Sequence, residues 1–151
     1  MQEWFLSSVE YTHWGYNMPT IGFVGTLVFT FAEGWVTIKQ SSAIRKNDSG
    51  KSVSVIFFFV LFFYLVAFGV YGFFQKSISE MFNGFVLAAL HIPLLHALWK
   101  SKGITQCEQK IIYATSVIIP LMIIIPWKDA FYMIIASIVT ASSVDQVREL
   151  Y

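Results

Sequence analysis

Four polar side chains interrupt otherwise apolar stretches of this chain: Glu33, Asn83, His91 and His96. A titratable or amide group is expensive to hold in such surroundings, so each is a candidate for binding, proton transfer or ion coordination. Glu33 and His91 are the types that make a carboxylate–imidazole pair, which could relay protons or hold a cation. Asn83 cannot titrate, but its carboxamide offers a donor and an acceptor to a hydroxylated solute. Each also has a plainer role: Glu33 could snorkel or meet a partner subunit, His91 could be a satisfied packing histidine, Asn83 could be helix-packing glue, and His96 could sit at an interface. His91 and His96 are spaced i, i+5, about 140° apart on a helix of 3.6 residues per turn. The usual two-histidine helical site is i, i+4, so these residues with Glu33 make a poor metal site and no metal is expected. There is no Ser–His–Asp order, phosphate-binding glycine loop or paired-carboxylate motif, so no catalytic residue, cofactor or enzyme activity is expected. The single cysteine, Cys107, excludes an internal disulfide and a cysteine-based zinc site and reads as a loop thiol.

The elements that must position these groups are three long apolar runs, Ile21–Ile38, Val53–Phe74 and Met81–Trp99. The first carries one charge, Glu33; the other two carry none. A helix needs roughly 20 apolar residues to cross a hydrocarbon layer of about 30 Å. Of the 151 residues, 56% are hydrophobic and only 13% charged, about half the charged share of an average soluble domain, so too little polar surface exists to wet a globule. A net charge of +1 argues against a nucleic-acid partner. The expected fold is an all-α integral membrane protein in one domain, with the lipid bilayer as its main partner.

Taken in order, Met1–Thr20 has no Lys or Arg and is rich in Trp and Tyr, so it reads as an interfacial aromatic arm rather than a signal peptide, with an external lid as its functional alternative. Helix 1 is expected over Ile21–Lys39, with Pro19 at its start and Gly22, Gly25 and Thr26 forming a small-residue face for close packing. Gln40–Ser52 reads as a basic connector with a turn at Asn47-Asp48-Ser49-Gly50. Helix 2 follows over Val53–Phe74, with Gly69 and Gly72 admitting close neighbours, and helix 3 over Met81–Trp99, kinked at Pro93. Two shorter runs, Ile111–Trp127 and Ala130–Val144, predict a C-terminal helical hairpin within residues 111–147, giving about five transmembrane helices. Lys and Arg divide two against eight between alternate loops. The richer side should be cytoplasmic, placing the N-terminus outside and the C-terminus inside, in a plasma or inner membrane. Helices 1 and 3 then run the same way, and Glu33 and His91 fall at similar depth.

Residues 21–100 resemble the three-helix repeat of the SWEET and SemiSWEET sugar transporters, in the wider PQ-loop group. The resemblance rests on Ile21-Gly22 opening helix 1, on a connector ending Ser49-Gly50-Lys51-Ser52-Val53-Ser54, on Ala67-Phe68-Gly69-Val70-Tyr71-Gly72 closing helix 2, and on Asn83 in a third helix that ends at Lys100. Trp35-Val36 stands where that family carries Pro-Gln late in helix 1, and Phe68 where Trp is usual. Ile134 to Val147 is similar to the first helix of another repeat, with Asp145-Gln146 at the Pro-Gln place and Ile111–Trp127 as a linker helix. The resemblance implies alternating-access transport of a small polar solute, sugar-like or another small metabolite, held by Asn83, Phe68 and Tyr71. Glu33 and His91 would couple protons or an ion, and a second copy of the chain would complete the pathway as a homodimer. The rival expectation is a non-transporting scaffold, receptor or accessory subunit.

Overall fold

The structure is a computed structural model that describes residues 2–47 and 54–150. The turn at Asp48-Ser49-Gly50 and the Ser49–Val53 part of the connector motif lie outside the described residues. Those described form eight helices and no strand: α1 (Gln2–Leu6), α2 (Val9–Thr12), α3 (Met18–Asn47), α4 (Val55–Gln75), α5 (Ile78–Lys102), α6 (Gln106–Ser116), α7 (Ile118–Ile124) and α8 (Lys128–Leu150). Four segments among them are long and apolar enough to cross a membrane: Met18–Lys46, Val55–Gln75, Ile78–Ser101 and Gln106–Ile124. The chain is thus all-α and of membrane type by the length and composition of its helices. The fifth run is helical within α8, whose side chains from residue 144 on lie outside the described residues.

Helix α3 is longer than predicted at both ends. It starts at Met18 because the Asn17 side chain caps it, accepting the Thr20 N–H at 3.1 Å. It continues through Gln40–Asn47, read above as a connector, because that stretch keeps one face buried. Thr30, Gly34, Thr37, Ser41 and Ile44 recur at alternating steps of four and three, and all are buried. This is the seam by which α3 lies along α5. Thr30 and Thr37 turn their hydroxyls back to the carbonyls of Thr26 and Glu33, at 2.7 and 3.0 Å, so neither threonine brings a free donor to the seam. The predicted small-residue face lies elsewhere: a Cβ on Gly22 or Gly25 would meet nothing within 4 Å, whereas one on Gly34 would meet Leu90 at 2.6 Å. Gly22 and Gly25 did not make the contact; the heptad-spaced Thr, Gly and Ser did.

Helix α5 packs on both α3 and α4 and forms the centre of the bundle. It runs unbroken past Pro93. Its crossing with α4 is a contact of backbone on backbone. A Cβ on Gly84 would collide with the amide nitrogen and Cα of Gly69, and one on Gly72 would lie 2.5 Å from the Met81 nitrogen. The α4–α5 turn is only Lys76 and Ser77. Lys76 adopts the left-handed conformation at φ 56°, and the Ser77 N–H closes on the Gly72 carbonyl at 2.9 Å, a Schellman-type end to α4.

The opposite side of α4 carries α6, α7 and α8. The chain breaks between α6 and α7 at Val117, since Pro120 lacks the N–H that would bond to the Ser116 carbonyl. Cys107, expected in a loop, lies exposed on α6, because the loop after α5 is only Gly103–Thr105. α7 and α8 lean on α4 more than on each other. Met122 of α7 and Ile135 and Val139 of α8 meet Ala67 in one buried cluster.

Replacing Gly84 by Ala should gain about 1 kcal/mol of helix propensity yet lose more by prising α5 from the α4 backbone, for a net loss of roughly 1–3 kcal/mol. Gly22→Ala should be neutral or stabilising. Thermal unfolding of the detergent-purified protein reads both; the reverse order would show that the crossing is not close.

Candidate functional site

The N-terminal arm folds onto the α4–α5 turn and supplies what the two helix ends lack. A helix leaves its last carbonyls and first N–H groups without partners. The Trp4 indole stacks on Phe73, with ring centres 5.3 Å apart, and its Nε1–H donates to the Phe73 carbonyl at 3.1 Å. The Val9 N–H donates to the Lys76 carbonyl at 3.0 Å. Glu10, buried to 5% exposure, then caps α5. Its carboxylate accepts the N–H groups of Ile78 and Ser79, both at 2.9 Å, and the hydroxyls of Ser77 and Ser79 at 2.8 and 2.6 Å. Burial alone would raise the Glu10 pKa, but the bonds from Ser79 and Ile78 outweigh it and hold the group below its ordinary value of 4.5. Sequence reasoning placed Glu10 only in a polar, aromatic arm. Its partners lie 67 to 69 residues away, so no local pattern could reveal it.

Between this arm, the first half of α3 and the head of α5 lies a cavity of about 430 Å³. The arm contributes Val9 and Glu10, and α3 contributes Pro19, Gly22, Phe23 and Thr26. Phe68 closes it from α4, and Ser77, Ser79, Glu80 and Asn83 line it from the α5 side. Two of the expected solute-binding residues, Phe68 and Asn83, therefore share one cavity. Asn83 also serves as packing glue: its Nδ2 donates to Thr30 Oγ1 at 3.0 Å, tying α5 to α3. Because the Thr30 hydroxyl is already donating to Thr26, its oxygen must accept, which orients the Asn83 amide with Oδ1 away from Thr30.

Tyr71, the third expected residue, does not line the cavity. Tyr64, Phe68 and Tyr71 form a ladder on α4, and Tyr132 of α8 stacks on it, closest to Tyr71 at 4.6 Å. The Tyr71 hydroxyl donates to Asp129 at 2.8 Å, joined there by the Gln75 amide, and the Tyr64 and Tyr132 hydroxyls meet at 2.8 Å. These contacts hold α8 to α4. The spacing of Tyr64, Phe68, Tyr71 and Gln75 on one helical face could have signalled it.

Glu33 and His91 do not join this cavity. Glu33 is exposed on α3. His91 is 2% exposed, its Nδ1–H donating to the Leu87 carbonyl at 2.8 Å beside the Phe58 ring. No hydrogen bond links the two among the described residues. His96 is exposed, and no group of three or more His, Cys, Asp or Glu converges to hold a metal among the described residues. Asp145 and Gln146 belong to α8, but their side chains lie outside the described residues. No protein-family model, no curated protein and no solved structure matches this chain.

A Gln at position 10 would turn an amide N–H toward donors that now meet a carboxylate, so Glu10→Gln should lower stability by about 1–3 kcal/mol. The pKa of Glu10 is depressed by folding, so its contribution is fully present above the ordinary carboxyl value of 4.5 and is lost as pH falls through the lower folded value. Melting curves of both proteins from neutral to acid pH should therefore converge below pH 4.5; a gap that stays constant into acid would count against the cap.

Proposed function

We propose that the protein is a membrane transporter of a small polar solute, working by alternating access with a second copy of the chain. The observation that carries the reading is the cavity at the head of α5, where an amide, a carboxylate and hydroxyls meet an aromatic wall inside an otherwise apolar bundle. Its volume suits a small metabolite, and apolar walls with a few convergent polar groups are the usual form of such sites. The resemblance to the SWEET and SemiSWEET repeat supports the same reading, since Asn83 and Phe68 are the residues it singles out. Asn83 and Phe68 would hold the solute, with the α2 arm as an external lid. In this reading the N-terminus is outside and the cavity opens on that side. α8, at 23 residues or about 35 Å, is a fifth crossing sheltered by α4, which puts the C-terminus in the cytoplasm.

A second reading, a non-transporting subunit of a larger complex, is favoured by one observation. Glu33 is exposed on α3 while His91 is buried and bonded to its own helix, with no hydrogen bond between them among the described residues.

Proteoliposomes should accumulate at least one solute from a panel of sugars and small metabolites above empty vesicles. Asn83→Ala should lower that uptake roughly tenfold, the size of a lost polar contact. No uptake of any solute, together with co-purification of a stable hetero-partner, would favour the second reading; equal uptake in both variants would remove Asn83 from the site.

A further inference from the structure

Glu80 has the spacing of a routine capping residue but not the contacts of one. Ser77-Ile78-Ser79-Glu80 follows the capping-box pattern, in which the last residue reaches back to the backbone N–H of the first. The chain shows what that looks like when it closes: at Thr105 the N–H donates to the Glu108 carboxylate at 2.8 Å. At Ser77 it cannot close. The Ser77 N–H is bound to the Gly72 carbonyl at 2.9 Å, and Glu10 has taken the next two N–H groups. The Glu80 side chain is thus released from its helix. Its Oε2 is fully buried with no hydrogen-bond partner among the described residues, and the residue lines the cavity.

We propose that Glu80 is the cation-accepting group of this cavity and that the solute it admits carries a protonated amine. The inference rests on the solute-binding reading above and names the class of solute. A carboxylate held out of water requires a counter-charge or a proton. None of the residues lining the cavity is Lys, Arg or His. The titratable groups around Glu80 are Glu10 from α2, Tyr71 from α4, and Asp129 and Tyr132 from α8. The two carboxylates among them are already satisfied, Glu10 by four donors and Asp129 by Tyr71 and Gln75. Of these three carboxylates, Glu80 alone has an oxygen with no partner among the described residues. The nearby Asn83 gives one N–H to Thr30 and keeps Oδ1 as an acceptor beside its second N–H. The open groups thus include two acceptors, and one of them is negative. An ammonium group brings three donors and a positive charge, which meets both requirements and makes strong charge-assisted bonds; an anion meets neither.

The test is thermal unfolding of the full-length protein in detergent at pH 7 and fixed ionic strength. The probes are pairs that differ by an amine for a hydroxyl: ethanolamine against ethylene glycol, and glucosamine against glucose. Sodium and magnesium chloride serve as further arms. Saturating amine should raise Tm by at least about 2 °C while its hydroxyl partner does not. Glu80→Gln should abolish the shift while melting at or above the ligand-free wild type, and Glu80→Asp should keep a smaller one. Equal shifts from both members of a pair would leave a solute site but overturn the amine preference. A shift by a metal ion instead of the amine, no amine shift at all, or an amine shift retained in Glu80→Gln would each overturn the proposal. Because the readout is binding, absence of transport would not imitate any of these results.

Discussion

The carboxylate of Glu10 on the first turn of α5 is the interaction on which the arm end of the bundle depends. In a setting with little water, an open backbone N–H is costlier than at a soluble surface, so a buried helix start must find acceptors nearby. The chain finds them in a segment about 68 residues upstream. That choice seats the arm on the α4–α5 turn, brings Val9 and Glu10 to the cavity wall and leaves Glu80 without its usual local partner. The docked arm and the open carboxylate are consequences of one cap.

Below the cap, α5 is held by two different kinds of closeness. Toward α4, Gly84 and Gly69 let the backbones approach with no side chain between them. Toward α3, a heptad of Thr, Gly and Ser keeps the helices near while spending each hydroxyl on its own turn. Dispersion and small side chains hold such helices together where burial from lipid offers no hydrophobic gain. Asn83 adds the one described side-chain hydrogen bond between these two helices, to Thr30, and therefore both braces the bundle and borders the cavity.

The α4–α8 seam divides the aromatic residues. Phe68 touches both the stacked ladder and the cavity, while Tyr71 and Tyr132 are committed to the ladder with Asp129. Phe68 and Tyr71 lie three residues apart, only about 60° around the helix, so both join the ladder against Tyr132, and Phe68 alone of the two also lines the cavity.

Much was legible from residue type and run length. Uncharged stretches such as Val53–Phe74 can be only helices in an apolar medium, because their backbone groups must be satisfied within the segment. Gly69 and Gly72 marked a close approach correctly, whereas Gly22 and Gly25 did not, since a small residue permits contact without directing a neighbour to it. What only the tertiary structure decided was which polar groups are spent and which remain open. Glu33, Asn83 and His91 look alike along the chain, yet one is exposed, one bridges two helices and one is closed on its own carbonyl. Glu10, with no local sign of it, caps α5, while Glu80, which has the spacing of a cap, does not. Run length is set by the chain and the thickness of its medium, but the partner of a polar side chain is set by helices that meet across tens of residues, and no local spacing encodes that meeting.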